Sequence, residues 1–335
     1  MTEATSKAPR IPALDFTKGA LVLIMVLYHW MNYFWGPQDQ RYLRFLTPSF
    51  IFISGFIISN IYISKYGIAD LQLPKRLIQR GAKILGIFFL LNVTRNFLVL
   101  GRSQKQAWSA SSLIDIYVLG SHVGGGQVKA VAFFVLVPIS YLLIFSALLL
   151  PICRHFRYTF HVVCLLLLVC VVVLNLGGFS ISNLELIAIG LLGVLAGYIP
   201  IDKVNAAVRH PYLLAVSYLA YLGAISLWNV IYPLQIIGVY LSLMIIYLLG
   251  QQSGKPGRVR GSIVLLGKYS LVGYIAQIAI LQSLRLGLRR IDSDTVVLGL
   301  SFVLAFALTI LSVELIDRTR TESTTADRIY KAVFA

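Results

Sequence analysis

The sequence predicts an all-α integral membrane protein, with about ten transmembrane helices in one bundle and both termini in the cytoplasm. Composition is the first reason, because 58% of the residues are hydrophobic and only 13% are charged. Globular domains average roughly 45–50% apolar and about 25% charged residues. The mean hydropathy of +0.81 agrees with this class. The second reason is the regular series of long apolar runs, and the third is the distribution of basic residues between them.

Each apolar run is close to the ~20 residues that cross a hydrocarbon core. In chain order the runs are about 19–35, 46–64, 83–100, 130–151, 159–177, 184–200, 211–230, 233–250, 262–284 and 295–315. Residues 1–12 form a polar N-terminal leader, 13–315 the membrane domain and 316–335 a charged cytoplasmic tail suited to a surface helix. The first run has no small-residue cleavage site, so we expect it to remain as the first helix.

Lys and Arg residues concentrate at alternate ends of the runs. With a cytoplasmic N-terminus, 20 of the 29 basic residues fall on the cytoplasmic side and 8 on the other, while Arg95 lies inside the third run. This asymmetry follows the positive-inside rule and supports an even number of spans. The net charge of +16 is therefore mainly a topology signal, and we expect no nucleic-acid partner.

Neither a metal site nor a disulfide is expected. The three cysteines (Cys153, Cys164 and Cys170) show no Cys-x-x-Cys spacing, and two of them lie inside an apolar run. The longest connection, about 101–129, carries three consecutive glycines at 124–126. It suggests a lid or a re-entrant segment, or an unstructured loop.

Lys18 and His29 lie 11 positions apart in the first run. This is about three helical turns, so the two side chains share a helix face, about 16 Å apart along the axis. A histidine deep in the bilayer is costly and is by default a functional candidate, and imidazole is the usual general base near neutral pH. The alternatives are a hydrogen-bonded core histidine and a topology-setting lysine. Asp15, one turn before Lys18, is a candidate to hold the lysine, to cap the helix or to assist catalysis.

Arg76, Arg80 and Lys83 follow an i, i+4, i+7 pattern where the chain enters the third run. The pattern predicts a basic stripe on one helix face. Such a stripe binds anionic lipid or the phosphates of a nucleotide-containing ligand, and the sequence favours neither.

Polar side chains inside two runs are candidates for binding an acceptor substrate. Asn92 and Arg95 lie in the outer half of the third run, where such groups face the bundle interior or a cavity, or snorkel outward. Tyr274 and Gln277 share one face near the middle of the ninth run. The alternatives are a structural ion pair of Arg95 with Glu185 and ordinary interhelical hydrogen bonds.

Taken together, these residues resemble the transmembrane acyltransferase superfamily. That group includes the acyltransferase-3 membrane proteins, the bacterial glucan succinyl transferases and the lysosomal heparan glucosaminide N-acetyltransferase. The segment from Lys18 to His29 is similar to the opening motif of the family, a basic residue followed by ten residues and a histidine. Ser54-Gly55-Phe56 is similar to the Ser-Gly-Phe signature of the second span. Further segments that resemble the family are Ala13–Gly19, the Arg76/Arg80 stripe, Phe133–Pro138 and Gly267–Tyr274.

The resemblance implies that a cytoplasmic acyl-CoA, with acetyl-CoA the simplest choice, donates its acyl group to a hydroxyl or amine of a cell-envelope glycan or small glycoside. It implies His29 as general base or transient acyl carrier, and Lys18 with the basic stripe as the holder of the CoA phosphates. Lys18 stands where many members have Arg, and Gln277 where many have His. A bacterial cytoplasmic membrane is the expected location, with membrane lipids as further partners. The competing hypothesis is a transporter or flippase whose permeation path uses the same intramembrane polar residues.

Overall fold

The computed structural model describes residues 11–35, 41–95, 114–120, 132–228, 230–252, 257–288 and 294–334. Every regular element in these ranges is helical. The helices are α1 (Pro12–Trp30), α2 (Leu46–Ile57), α3 (Gln72–Arg95), α4 (Leu136–Cys153), α5 (Thr159–Leu176), α6 (Ser182–Ala196), α7 (Ile201–Ala207), α8 (Pro211–Leu227), α9 (Tyr232–Gln252), α10 (Arg258–Lys268), α11 (Ser270–Gly287), α12 (Asp294–Glu322) and α13 (Thr324–Phe334). π-Helical turns extend α1 over Met31–Trp35 and α2 over Ile58–Ile63, and a third spans Asp115–Leu119.

Within the described ranges, seven helical segments are long and apolar enough to cross a membrane, namely α3, α4, α5, α9 and α12, and α1 and α2 together with the turns that adjoin them (Pro12–Trp35 and Arg41–Tyr66). Two bent pairs add to this number: α6 and α7 meet at 102°, and α10 and α11 at 96°, which gives nine if each pair is one span. The shorter α8 is also apolar. The prediction of an all-helical multi-pass protein is thus confirmed. The count of ten spans and the cytoplasmic position of both termini stay predictions.

Glycines allow the closest helix crossings in the bundle. A Cβ atom on Gly55 of α2 would lie 1.9 Å from the carbonyl oxygen of Gly190 on α6, and one on Gly193 would lie 2.0 Å from that of Phe52. These two helices therefore touch backbone to backbone, as small residues permit in membrane bundles.

The crossing of α10 over the start of α1 is equally close. A Cβ atom on Gly19 would lie 1.9 Å from the Ile263 oxygen, and one on Gly267 would lie 1.7 Å from the Asp15 oxygen. After Gly267 the chain bends into α11, which runs beside α1 so that Gly273 faces Val22. This arrangement brings the ninth predicted run onto the helix that carries Lys18 and His29.

The largest buried cluster lies among α1, α2, α3, α4 and α6, around side chains such as Met25, Ile51, Phe88 and Leu142. By contrast, α5 and α8 expose large apolar side chains, among them Leu165, Leu176 and Leu213. An apolar outer surface is expected where helices face lipid.

The C-terminal tail is helical and packs against the bundle. α12 continues to Glu322, seven residues beyond the predicted end of the last run at 315. α13 then folds back so that Tyr330 and Phe334 contact the cluster around Val22, Leu266 and Val313. Of the 101–129 connection, only 114–120 lies within the described residues, so the expectation of a lid or re-entrant segment falls outside them.

Candidate functional site

Lys18 and Asp15 form an ion pair at the end of the bundle where α10 crosses α1, which we name the basic end. Lys18 Nζ lies 2.6 Å from Asp15 Oδ1, and the two side chains are only 18% and 13% exposed. α1 begins at Pro12 with Ile11 as its N-cap, so Asp15 is not the cap. Of the roles considered for Asp15, the structure shows the contact with the lysine. Fourteen residues of helix, about 21 Å, separate Asp15 from His29, so the two cannot share a proton directly.

The basic stripe of α3 packs on two tyrosines that follow α2. The guanidinium of Arg76 lies 4.3 Å from the ring centre of Tyr66. That of Arg80 lies 5.6 Å from the ring centre of Tyr62 and also donates a hydrogen bond to its hydroxyl. Lys83 is exposed. Cation–π contacts of this kind stabilise the α2–α3 connection and leave Lys83 available to an anion.

A second group of polar side chains joins α10, α11 and α12 at the basic end. Lys268 Nζ lies 2.7 Å from Asp317 Oδ1, and the Tyr269 hydroxyl donates to the same oxygen at 2.6 Å. Arg320 donates to the Tyr269 hydroxyl at 3.0 Å. The bend between α10 and α11 is thus tied to the end of α12.

Arg320 also clamps α13 onto this end. Its guanidinium lies 3.8 Å from the ring centre of Tyr330 and donates to Asp327, whose second oxygen lies 2.5 Å from Lys331 Nζ. Hydrogen bonds from Lys331 and Arg320 hold the pKa of Asp327 below its usual value of 3.8. Asp327 is therefore a carboxylate at neutral pH, and α13 stays clamped.

His29 lies in the last turn of α1. Because each residue turns the helix by about 100°, the His29 side chain leaves α1 in a direction between those of Val22 and Met25. Val22 packs against Gly273 of α11, while Met25 belongs to the main core. This face of α1 adjoins α11 on one side and the main core, which includes α2, on the other, and we name the space between α1, α2 and α11 the junction. The imidazole is partly buried, and its ring makes an edge contact with that of Tyr28 at 5.1 Å.

Gln277 of α11 is a fully buried amide, with an exposed fraction of 0%. Neither Oε1 nor Nε2 has a hydrogen-bond partner among the described residues. Around α11 it lies between Gly273, which faces α1, and Tyr274, which contacts Phe50 of α2. Gln277 therefore points into the same junction as His29.

The amide and the imidazole also lie at similar depth. One turn before Gln277, Gly273 packs on Val22; one turn after it, Leu281 packs on Val26. The histidine lies three residues beyond Val26, which is about 4.5 Å along α1. Counted from the Val22 contact the two polar groups differ by about 4.5 Å in depth, and counted from the Val26 contact by about 10.5 Å, so about one to two helical turns separate them.

Tyr274 lines the same junction from the α11 side. It is 6% exposed, and its ring lies 6.4 Å from that of Phe50 and 6.2 Å from that of Phe133. Tyr28 and Tyr33 are close enough to Tyr274 to interact with it electrostatically. Tyr274 and the rings of Phe50 and Phe133 therefore border the junction.

Asn92 is occupied by backbone groups. Its Nδ2 donates to the Phe88 and Ala132 oxygens, each at 3.0 Å, and its Oδ1 accepts from the Ala132 N–H at 2.9 Å. Both amide hydrogens are used in this way. The side chain holds the segment before α4 against α3. This is the structural role that was the alternative to substrate binding.

Arg95 ends the described part of α3 and is partly buried, with Tyr33 of the π-helical turn after α1 in electrostatic range. The ion pair with Glu185 does not form. Within the described ranges, the Glu185 carboxylate accepts hydrogen bonds from Asn175 at 3.1 Å and Ser180 at 3.0 Å. Arg95 therefore lies on the side of the bundle that holds the end of α1.

The structure brings the predicted residues into two places. His29, Tyr274 and Gln277 surround the junction, whereas Lys18 and Asp15 lie at the basic end. Sequence reasoning missed the side chains that hold the basic end together: Tyr62, Tyr66, Tyr269, Asp317, Arg320 and Tyr330. The i, i+4 spacing of Tyr62 and Tyr66 matches that of the arginines on the next helix and could have revealed their pairing.

Among the described residues, no three His, Cys, Asp or Glu side chains lie close enough together to hold a metal ion. No protein-family model, curated protein or solved structure matches this chain.

Proposed function

We propose that this chain is a membrane-embedded acyltransferase that moves an acyl group, most simply acetyl, from acyl-CoA to a hydroxyl or amine of a cell-envelope glycan or glycoside. The observation that carries this proposal is the junction of α1, α2 and α11. The His29 imidazole lies on the face of α1 that adjoins it, and the Gln277 amide, which has no hydrogen-bond partner among the described residues, points into the junction about one to two turns away in depth. Lys18 lies at the basic end, on the same face of α1 as His29.

The proposed reaction begins at the imidazole. A ring nitrogen of His29 takes the proton of the acceptor hydroxyl or amine, whose oxygen or nitrogen attacks the thioester carbonyl carbon. The new C–O or C–N bond forms as the C–S bond breaks, and the CoA sulfur leaves as a thiolate that accepts the proton from the imidazolium. The Gln277 amide has two donors and an acceptor to offer the acceptor substrate or the developing oxyanion.

The basic end suits the phosphates of the donor. Lys83 and Lys75 are exposed there, and Arg76 and Arg80 present their guanidinium groups beside tyrosine rings. Lys18 is held in place by Asp15. About 16 Å of helix between Lys18 and His29 matches an extended ligand arm that runs from the basic end into the junction.

Donor binding is the first test. We expect acetyl-CoA to raise the melting temperature of the purified protein with the dependence RT ln(1 + [L]/Kd). Acetyl-pantetheine, which lacks the nucleotide phosphates, is the matched ligand control and should give a much smaller rise. The variant Lys18→Ala/Arg76→Ala/Arg80→Ala should lose the response to acetyl-CoA. Absence of any rise with acetyl-CoA and with longer acyl-CoAs would refute the donor assignment.

Acyl transfer is the second test. Membranes that contain the protein are given acetyl-CoA labelled in the acetyl group, and label in glycan and glycolipid is counted. We expect His29→Ala to lower incorporation by at least about 100-fold, the usual contribution of a general base, without loss of acetyl-CoA binding. His161→Ala is the control, because His161 lies on α5 and stacks on Tyr198, away from the junction. Transfer unchanged in His29→Ala would refute the catalytic role.

A transporter or flippase is the second candidate, and the two bent helix pairs favour it. Breaks of 102° and 96° are of the kind that transporters place at substrate sites, although those sites lie near the midplane. Acyl transfer requires acyl-CoA as donor, whereas transport does not. Uptake or flipping of a glycoside that survives His29→Ala, together with no response to acyl-CoA, would support transport.

A further inference from the structure

The last helix, α13, lies beside the membrane-spanning part of the bundle and covers only part of its own apolar surface. Ser323 alone separates it from α12. Tyr330 and Phe334 pack against the buried cluster that includes Val22, Leu266 and Val313 of the spanning helices. The helix is therefore held at the depth where α12 ends.

A second apolar strip on α13 faces away from the bundle. Ile329 is 60% exposed and Val333 is 40% exposed, and they lie one turn apart on one side of the helix. At about 100° per residue, this strip directly adjoins that of Tyr330 and Phe334. The apolar arc is therefore wider than the bundle covers, as is expected of an amphipathic helix that lies at a membrane interface.

Basic residues occupy the opposite side of α13. Arg328 is exposed, and Lys331 is 63% exposed while it contacts Asp327. Arg258, Lys75 and Lys83 are also exposed at the basic end. A helix with an apolar arc, a basic polar face and a position at the end of a spanning helix has the features of an interfacial helix.

We infer that α13 is a lipid-binding element that lies in the interface of the adjoining leaflet. Ile329 and Val333 enter the boundary between headgroups and acyl chains, while Arg328 and Lys331 contact anionic headgroups. The clamp of Arg320 on Asp327 and Tyr330 sets the angle at which the helix leaves the bundle, and so orients the exposed strip toward the lipid. This assignment does not depend on the acyltransferase proposal.

Cysteine accessibility tests the assignment in the full chain. Each of Ile329→Cys, Val333→Cys and Arg328→Cys is made in a background in which the three native cysteines are serine, and the protein is placed, one copy per disc, in nanodiscs rich in anionic lipid. A membrane-impermeant maleimide is added and labelling is timed. We expect positions 329 and 333 to react at least tenfold more slowly than position 328, because the first two lie in lipid. Arg328→Cys is the matched control on the same helix.

Lipid charge gives the second comparison. In nanodiscs of zwitterionic lipid only, we expect the protection at 329 and 333 to fall several-fold, since the headgroup contacts of Arg328 and Lys331 are lost. Equal rates at 328, 329 and 333 in anionic discs would overturn the interfacial position. Full protection in both lipids would overturn the anionic headgroup contact. Tryptophan fluorescence of each variant, matched to the cysteine-substituted parent, shows that the bundle is folded.

Discussion

At the residue scale, one amide distinguishes the junction from ordinary packing. Gln277 is fully buried, and neither of its polar atoms has a partner among the described residues. Such a group costs about 1–3 kcal/mol relative to a satisfied one. A buried polar group without a partner calls for a specific explanation, and a bound ligand that completes its hydrogen bonds is one. Asn92 shows the contrasting case, because backbone groups satisfy its amide.

The cost at Gln277 predicts opposite effects on stability and function. We expect Gln277→Leu, a change of similar volume, to raise the free energy of unfolding by about 1–3 kcal/mol, because the unpartnered amide is removed. We expect the same variant to lower acyl transfer at least tenfold. The measurements are the melting temperature in detergent and incorporation of labelled acetyl groups.

Ser146 of α4 supplies the control for this prediction. Its hydroxyl is also fully buried and has no partner within the described residues, but it lies on a different helix from the junction residues. Ser146→Ala should raise stability without changing transfer. Loss of transfer in both variants would mean that Gln277 acts only through packing.

At the element scale, the crossing of α10 over α1 depends on glycine. The backbones of Gly267 and Asp15 are so close that a Cβ atom on Gly267 would lie 1.7 Å from the Asp15 oxygen. A side chain there must push the two helices apart. The bend into α11, and with it the position of Gln277 opposite α1, follows from this contact.

Two glycines on the same helix test the crossing. We expect Gly267→Ala to destabilise the bundle by at least about 1–3 kcal/mol, the cost of overpacking, and to lower the yield of monodisperse protein. Gly261→Ala is the matched control, because a Cβ atom there meets nothing within 4 Å. In a helix this control should stabilise by about 0.5–1 kcal/mol. Size-exclusion chromatography and melting temperature report both, and equal stability of the two variants would contradict the glycine requirement.

At the scale of the whole molecule, the chain closes on itself at the basic end. Tyr330 and Phe334 of α13 pack against the buried cluster that includes Val22 of the first helix, and Arg320 joins α12, α13 and the bend at Tyr269. The first and last parts of the chain are thus linked. A change in the charge of Asp327 should therefore change the stability of the whole bundle.

The lowered pKa of Asp327 gives this link a pH dependence. The ionised carboxylate is favoured in the folded state, so its contribution to stability is complete above the ordinary pKa of 3.8. It is lost as pH falls through the lower pKa of the folded state. We expect Asp327→Asn to melt a few degrees below the parent protein at both pH 7 and pH 5, with the difference closing below the ordinary pKa.

Asp202, an exposed aspartate of α7, is the control for this measurement. Asp202→Asn should match the parent protein across the pH range. A difference between Asp327→Asn and the parent that stays constant down to pH 2 would show that the carboxylate charge is not what holds α13.

The sequence by itself determined the all-helical, multi-pass class and the shared face of Lys18 and His29. Both depend on local periodicity, because hydrophobic length and helix rise act within one segment. It also singled out Gln277 and Tyr274 as one face of one helix. Only the tertiary structure decided that backbone groups satisfy Asn92, that Glu185 bonds to Asn175 and Ser180, and that the stripe arginines pack on tyrosines. These outcomes depend on which helix faces meet, and the faces meet where glycine crossings and two sharp bends bring distant segments together.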